Sequence, residues 1–143
     1  SRGTSKKDDS LNGLKADAFI DSKNEEEMKA AAGTFDFIIC TVSAEYDLGS
    51  YLNLLSHDGQ FIIVGAPPAP LALATFPLIF KRVSVAGSLI GGIRETQEML
   101  DFCGKKNITC DIEKINAKDI DAAYERTIKS DVKYRFVIDV STI

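Results

Sequence analysis

Two nearly uninterrupted apolar runs, FDFIICTV (Phe35 to Val42) and QFIIVGA (Gln60 to Ala66), limit this chain more than any other feature. An alternating strand has one wet face, whereas an apolar run of this length predicts a parallel strand covered by helices on both faces. A third run, VSVAGSLIGG, starts at Val83, and YRFVIDV from Tyr134 closes the series. Helical patterns separate these strands. Asn24 is placed as the N-cap of NEEEMKAAAG, with Glu25, Glu26 and Glu27 at the positive end of the helix dipole and Gly33 beyond its last turn. Asp47 to Ser56 carries Leu48, Tyr51, Leu52 and Leu55 at helical spacing. FPLIFKR supplies a turn or two, ETQEMLDFCGKKN is an amphipathic helix closed at Gly104, and IDAAYERTIKSD forms the last helix. Lys6 to Lys15 is read as a polar-faced helix, AFIDS (Ala18 to Ser22) as a short strand, and HDG (His57 to Gly59) as a turn.

Strands that alternate with helices make an α/β fold with a parallel, doubly wound sheet. Ligands of such sheets bind at the carboxyl ends of the strands. Four stretches fall there: 1–6, 41–44, 65–68 and 87–92. All are small, Gly-rich or hydroxyl-bearing, and a binding crevice follows from their common rim.

The totals exclude several classes. With 143 residues, 45% hydrophobic and 27% charged, the chain can bury a core and is not a disordered tail. A net charge of −4 argues against non-specific nucleic-acid binding. No stretch approaches the roughly 18 apolar residues of a membrane helix, and no signal peptide is visible. Three cysteines without a CxxC pair fit reduced thiols in the cytoplasm better than a disulfide framework or a zinc knuckle.

SRGTSKK, at the start, holds three cations and three hydroxyls but no acid. Where a dinucleotide fold ends its second strand, an acid takes a ribose 2′-hydroxyl and a cation takes a 2′-phosphate. Arg2 offers phosphate a planar fork, with hydroxyls and Lys6 completing the shell. Taken alone, the same residues describe a solvated basic terminus. Gly65 in VGAPPAP permits close backbone approach, and Gly87, Gly91 and Gly92 do the same after the third run, although a plain loop exit and a weakened edge strand also explain them.

SRGTSKKDD, FDFIICTVSA, DGQFIIVGAP, VAGSLIGGIRETQEMLDFC and DAAYERTIKSDVKYRFVID together resemble the carboxy-terminal part of a zinc-type medium-chain alcohol dehydrogenase, in the NADP-dependent cinnamyl alcohol dehydrogenase group with its bacterial aldehyde reductase relatives. The resemblance implies a partial Rossmann domain over 1–108, and a 109–143 segment whose helix and strand return to a catalytic domain. It implies that Ser1, Arg2 and Lys6 bind the NADP 2′-phosphate and that Thr41 and Val42 line the path from adenine to nicotinamide. Val64, Gly65 and Ala66 would pass under the nicotinamide ribose and carboxamide. Ser88, Leu89 and Ile90 would lie beside the nicotinamide, and Arg135 near the phosphates. Gly3 stands where many relatives carry serine.

The parent enzyme so implied is cytoplasmic and moves hydride between NADP(H) and a primary alcohol/aldehyde pair. It is a homodimer through the strand Val83 to Ile90. Its zinc ligands, proton relay and glycine fingerprint have no counterpart here: His57 is the only histidine, and Cys40, Cys103 and Cys110 do not have ligand spacing. No catalytic residue is assigned, and the chain alone is expected to be inactive. It is also expected to be unstable unless a missing amino-terminal half comes from another chain or a swap closes the gap. A zinc-independent NADPH quinone reductase and a non-catalytic nucleotide-binding module are the alternatives.

Overall fold

The computed structural model describes residue 1 and residues 3–143, which form two compact units, Ser1–Ile90 and Gly91–Ile143. In the first unit the three apolar runs become parallel strands: β1 (Phe35–Cys40), β2 (Leu55–Ile63) and β3 (Ser84–Gly87), in the order β1-β2-β3. Pairing is level at the carboxyl ends, with Cys40 opposite Ile63 and Ile63 opposite Gly87. One helix precedes these strands and two join them. α1 (Glu25–Ala30) starts at Asn24, whose side chain accepts the Glu26 and Glu27 amides. Asp47 caps α2 (Leu48–Leu52) in the same way through Gly49 and Ser50. α3 (Thr75–Lys81) ends at Arg82 in the left-handed conformation.

The core is a single cluster under one face of the sheet: Cys40, Leu48, Leu52, Leu55, Phe61 and Val83, with Leu71 and Leu78 packed at its margin. β1 departs from the expectation of a strand covered on both faces. It is an edge strand, and Phe37 and Ile39 are 52% and 59% exposed. Its apolar run lies against α2 and the core on one side only within this unit.

Other elements differ from the sequence reading for local reasons. AFIDS joins no sheet. Its backbone instead meets residue 1, through the Ser1 amino group to the Ile20 carbonyl at 2.9 Å and Ser22 N–H to the Ser1 carbonyl at 2.6 Å, and the turn into α1, through Asp21 N–H to Glu27 Oε2 at 2.8 Å. The helix expected over Lys6 to Lys15 contracts to a wide π turn, Asp9–Gly13. Leu14 is exposed, so there is little apolar area to hold a longer helix, and the Ser10 hydroxyl donates back to the Lys6 carbonyl. The strand placed over Gln60 to Ala66 begins earlier, at Leu55, and stops at Ile63.

HDG lies inside β2 as an irregularity. Between Phe35 and Phe37 on β1 the partner moves from Leu55 to Gln60, so the intervening residues loop out of the ladder. Asp58 there has φ 62°, and its carboxylate takes the Arg82 guanidinium as a fork, at 2.8 Å to Nε and 2.6 Å to the terminal nitrogen. The hydrogen bonds from Arg82 hold the Asp58 carboxyl below its ordinary value of 3.8. A carboxyl lowered on folding contributes its stability above the unfolded value and loses it as pH falls through the folded one. Asn tolerates this backbone conformation, so Asp58→Asn removes the charge alone. The urea midpoint of Asp58→Asn is therefore expected to lie below that of the wild type near neutrality, and the gap to close as pH drops under 3.8. High salt should narrow it too, since both side chains are exposed.

In the second unit, α4 (Ile93–Lys106) starts with the Glu95 carboxylate accepting the Gly92 N–H at 2.8 Å. It runs through Gly104 and stops at Asn107, which takes the left-handed cap instead. β4 (Glu113–Asn116), absent from the sequence reading, pairs in parallel with β5 (Phe136–Asp139), and α5 (Ile120–Ile128) connects them. Four residues with a single apolar side chain, EKIN, are too short for a periodic signal. Arg126 ties this unit together: its guanidinium meets Glu113 at 2.8 Å and Asp131 at 3.0 Å, and lies 4.8 Å from the centre of the Phe136 ring. No helix among the described residues is long and apolar enough to cross a membrane.

Candidate functional site at the rim of the sheet

The level carboxyl ends of β1, β2 and β3 bring three of the singled-out stretches side by side. Val64 N–H and Gly65 N–H both donate to the Cys40 carbonyl, at 3.0 and 3.1 Å, and Ser88 N–H donates to the Ile63 carbonyl at 3.1 Å. The chain leaving β2 is therefore drawn against the chain leaving β1. Gly65 sits at the tightest point. A Cβ built there would lie 2.3 Å from the Val42 carbonyl oxygen and 2.8 Å from the Thr41 carbonyl carbon, distances no side chain tolerates. Glycine is obligatory here because two backbones converge. The side chains at this edge stay open: Thr41, Val42, Val64, Ala66 and Ser88 are exposed, and Leu89 and Ile90 are 89% and 90% exposed. The rim thus presents the Thr41 and Ser88 hydroxyls together with the exposed apolar side chains of Val42, Val64, Leu89 and Ile90, a mixture that suits a flat, partly polar ring.

The opening loop is organised separately. Arg2 lies outside the described residues. Ser1 brackets the 20–22 backbone and shares a hollow of about 270 Å³ with Ile20 and Phe37. Gly3 has φ 79°, a left-handed conformation that serine would adopt only with strain, which accounts for glycine at this position. Lys6 is exposed, and its carbonyl accepts from Ser10. Arg135 belongs to the second unit, where it is exposed and its carbonyl accepts the Glu113 N–H at 3.0 Å.

The residue that sequence reasoning missed is Asp21. Its Oδ1 accepts both Gly3 N–H at 2.7 Å and Lys23 N–H at 3.0 Å. The Lys23 and Gly3 amides, in that order, hold its carboxyl below 3.8, against a smaller opposing effect of burial. DSKN is an Asx-turn composition, and that was the available signal. Tyr46, just beyond β1, has a buried hydroxyl without a hydrogen-bond partner. Burial raises its pKa above the ordinary tyrosine value, the neighbouring Cys40 thiol adds to this, and the geometry between them falls short of a hydrogen bond.

No metal centre fits these residues. His57 is exposed in the β2 irregularity, Cys40 is buried in β1, and no three His, Cys, Asp or Glu side chains gather among the described residues. Hydroxyls, exposed cations and an apolar rim do fit a phosphorylated dinucleotide.

The chain is 56% identical over 136 residues to alcohol dehydrogenase 9 of Catharanthus roseus, covering 95% of the chain and 38% of that protein. It is 54% identical over the same length to cinnamyl alcohol dehydrogenase 8 of Arabidopsis thaliana, again 38% of that protein. Among solved structures, a cinnamyl alcohol dehydrogenase of Sorghum bicolor superposes with a TM-score of 0.91 at 45% identity, over 97% of this chain and 39% of that one. The CAD of Helicobacter pylori, solved in complex with NADP(H), gives 0.81 at 39% identity over 99% of this chain and 40% of its own. The chain therefore spans about two fifths of the length of such relatives, and its parallel sheet is their Rossmann-like layer. The profile of the family described as zinc-binding dehydrogenase matches residues 2–105, and with that match the chain belongs to the zinc-binding dehydrogenases.

Proposed function

We propose that this chain is the coenzyme-binding portion of a zinc-dependent alcohol dehydrogenase of the cinnamyl alcohol dehydrogenase kind. The whole protein moves hydride between NADP(H) and a primary alcohol/aldehyde pair. The observation that carries the reading is the convergence at Gly65, which levels Thr41–Val42, Val64–Ala66 and Ser88–Ile90 into one open rim at the carboxyl ends of a parallel sheet.

Each group has a part that its chemistry suits. Ser1, Arg2 and Lys6 take the 2′-phosphate, by hydroxyl, planar fork and point charge. Thr41 and Val42 line the path across the rim, and Val64, Gly65 and Ala66 support the nicotinamide ribose and carboxamide. Ser88, Leu89 and Ile90 flank the ring, and Arg135 neutralises phosphate charge. When bound, the coenzyme supplies or accepts the hydride. The protein contributes orientation and exclusion of water, which is where the exposed apolar side chains of Leu89 and Ile90 have their use. The zinc ligands and proton relay come from outside these 143 residues. Residues 1–108 form the coenzyme layer and 109–143 return to the catalytic domain. The free edge of β3 within Val83 to Ile90 pairs with its twin in a homodimer, and the enzyme is cytoplasmic.

The test is coenzyme preference in the whole protein. The kcat/KM for NADPH is expected to exceed that for NADH. Lys6→Ala should lower the NADPH value by about 10-fold, the worth of one charge-assisted contact, and leave the NADH value unchanged. Equal use of both coenzymes by the wild type overturns the proposal.

A further inference from the structure

The loop that starts the chain is pinned at Ser1 and Gly3 by residues well beyond it. Gly3 N–H is held at 2.7 Å by Asp21 Oδ1, and the Ser1 carbonyl accepts the Ser22 N–H at 2.6 Å. The backbone groups on either side of position 2 are thus both fixed by the turn that follows Ile20. That turn is anchored in its own right. The Asp21 N–H donates to Glu27 Oε2 at 2.8 Å, and Lys23 N–H closes onto the same Asp21 oxygen that holds Gly3. Asn24 caps α1 and its amide donates to Glu27 Oε1 at 3.1 Å. One relay therefore runs from the first turn of α1 through Glu27 and Asp21 to Gly3.

We propose that Asp21 is a positioning residue for coenzyme selection, fixing the loop of Ser1, Gly3 and Lys6 in the shape that admits a 2′-phosphate. The inference rests on the NADP reading above. A carboxylate is the wrong charge to face a phosphate, so its presence here needs an explanation. Its Oδ1 is occupied by two backbone amides, and it acts on the ligand through Gly3 without touching it. Holding a left-handed glycine in place costs the loop its freedom before the ligand arrives, which is how preorganisation raises affinity. The sugar and base make the same contacts in both coenzymes, so the benefit is confined to the one with the extra phosphate.

The experiment compares wild type, Asp21→Ala, Asp21→Asn and Asp21→Glu in the whole protein, measuring kcat and KM with NADPH and NADH, inhibition by 2′,5′-ADP against 5′-ADP, and the melting temperature. Asp21→Ala is expected to raise the NADPH KM about 10-fold and weaken 2′,5′-ADP equally, with kcat and the NADH constants within about 2-fold. The Asn amide oxygen still accepts from Gly3, so Asp21→Asn should keep most of the preference. Asp21→Glu, which keeps the charge but moves the acceptor, should lose part of it, and it carries the test if the alanine variant does not fold. A purely structural role lowers the melting temperature and leaves the ratio of the two coenzymes intact, and that result overturns the inference. A wild type with no preference overturns the NADP reading and the inference with it, and is distinguished by needing no variant.

Discussion

In the whole protein, Phe61→Ala is expected to abolish cooperative unfolding of the first unit at room temperature. Phe61 has no exposed surface and belongs to the buried cluster of that unit, with Cys40, Leu48, Leu52, Leu55 and Val83. Truncating a buried phenylalanine costs about 3–5 kcal/mol, and a whole domain is stable by only about 5–15 kcal/mol. This unit stands near the lower limit, because Phe37 and Ile39 on β1, and Phe76, Ile79 and Phe80 on α3, remain largely in water. The contrasting change is Leu71→Ala, at the margin of the same cluster, where truncation should leave a measurable transition. Urea titration followed by circular dichroism separates them. A Phe61→Ala protein that unfolds within about 1 kcal/mol of the parent would mean that the stability resides elsewhere.

The second large effect is Gly65→Ala, in which one methyl group should remove coenzyme binding. The added carbon would lie 2.3 Å from the Val42 carbonyl oxygen and 2.6 Å from the Val42 carbonyl carbon. Both are backbone, so no rotamer change relieves the clash, and the strand exits must separate. Overpacking of this kind costs about 1–3 kcal/mol or more. The cost falls where Val64 and Gly65 share the Cys40 carbonyl, so the rim opens while the core under Phe61 is spared. Isothermal titration with NADPH should show affinity reduced by at least about 100-fold, with the melting temperature falling only modestly. Gly87→Ala is the control: its nearest neighbour is 3.8 Å away, an ordinary contact, and it should bind nearly as the wild type does.

The strands were legible from residues 35 to 87 because their apolar runs are long and their register needs no specific partner chemistry. Asn24 was placed by capping chemistry that is local, which is why it held as expected, and the same chemistry at Asp47 marks the start of α2. AFIDS failed for the opposite reason. A strand is a property of a pair, and composition cannot say whether a neighbour is within reach. Gly104 failed because a left-handed cap was assigned to the glycine, while Asn107, three residues later, can take the same conformation. At the rim, Gly65 was legible as a close approach, but the backbone it approaches was not. Asp21 could not be read from a search for cations, since its effect on the loop passes through an amide that every residue except proline possesses.

The out-of-ladder residues around Asp58 have a bearing on how this sheet can change over generations. Pairing resumes at Gln60 whatever precedes it, so a codon gained or lost between Ser56 and Gly59 is absorbed before it reaches Phe61. A deletion just beyond that slack, at Phe61, would remove the core side chain and turn Ile62 and Ile63 each to the opposite face. Length variation in descendants of this chain should therefore collect in the slack at Asp58 and spare the segment that follows.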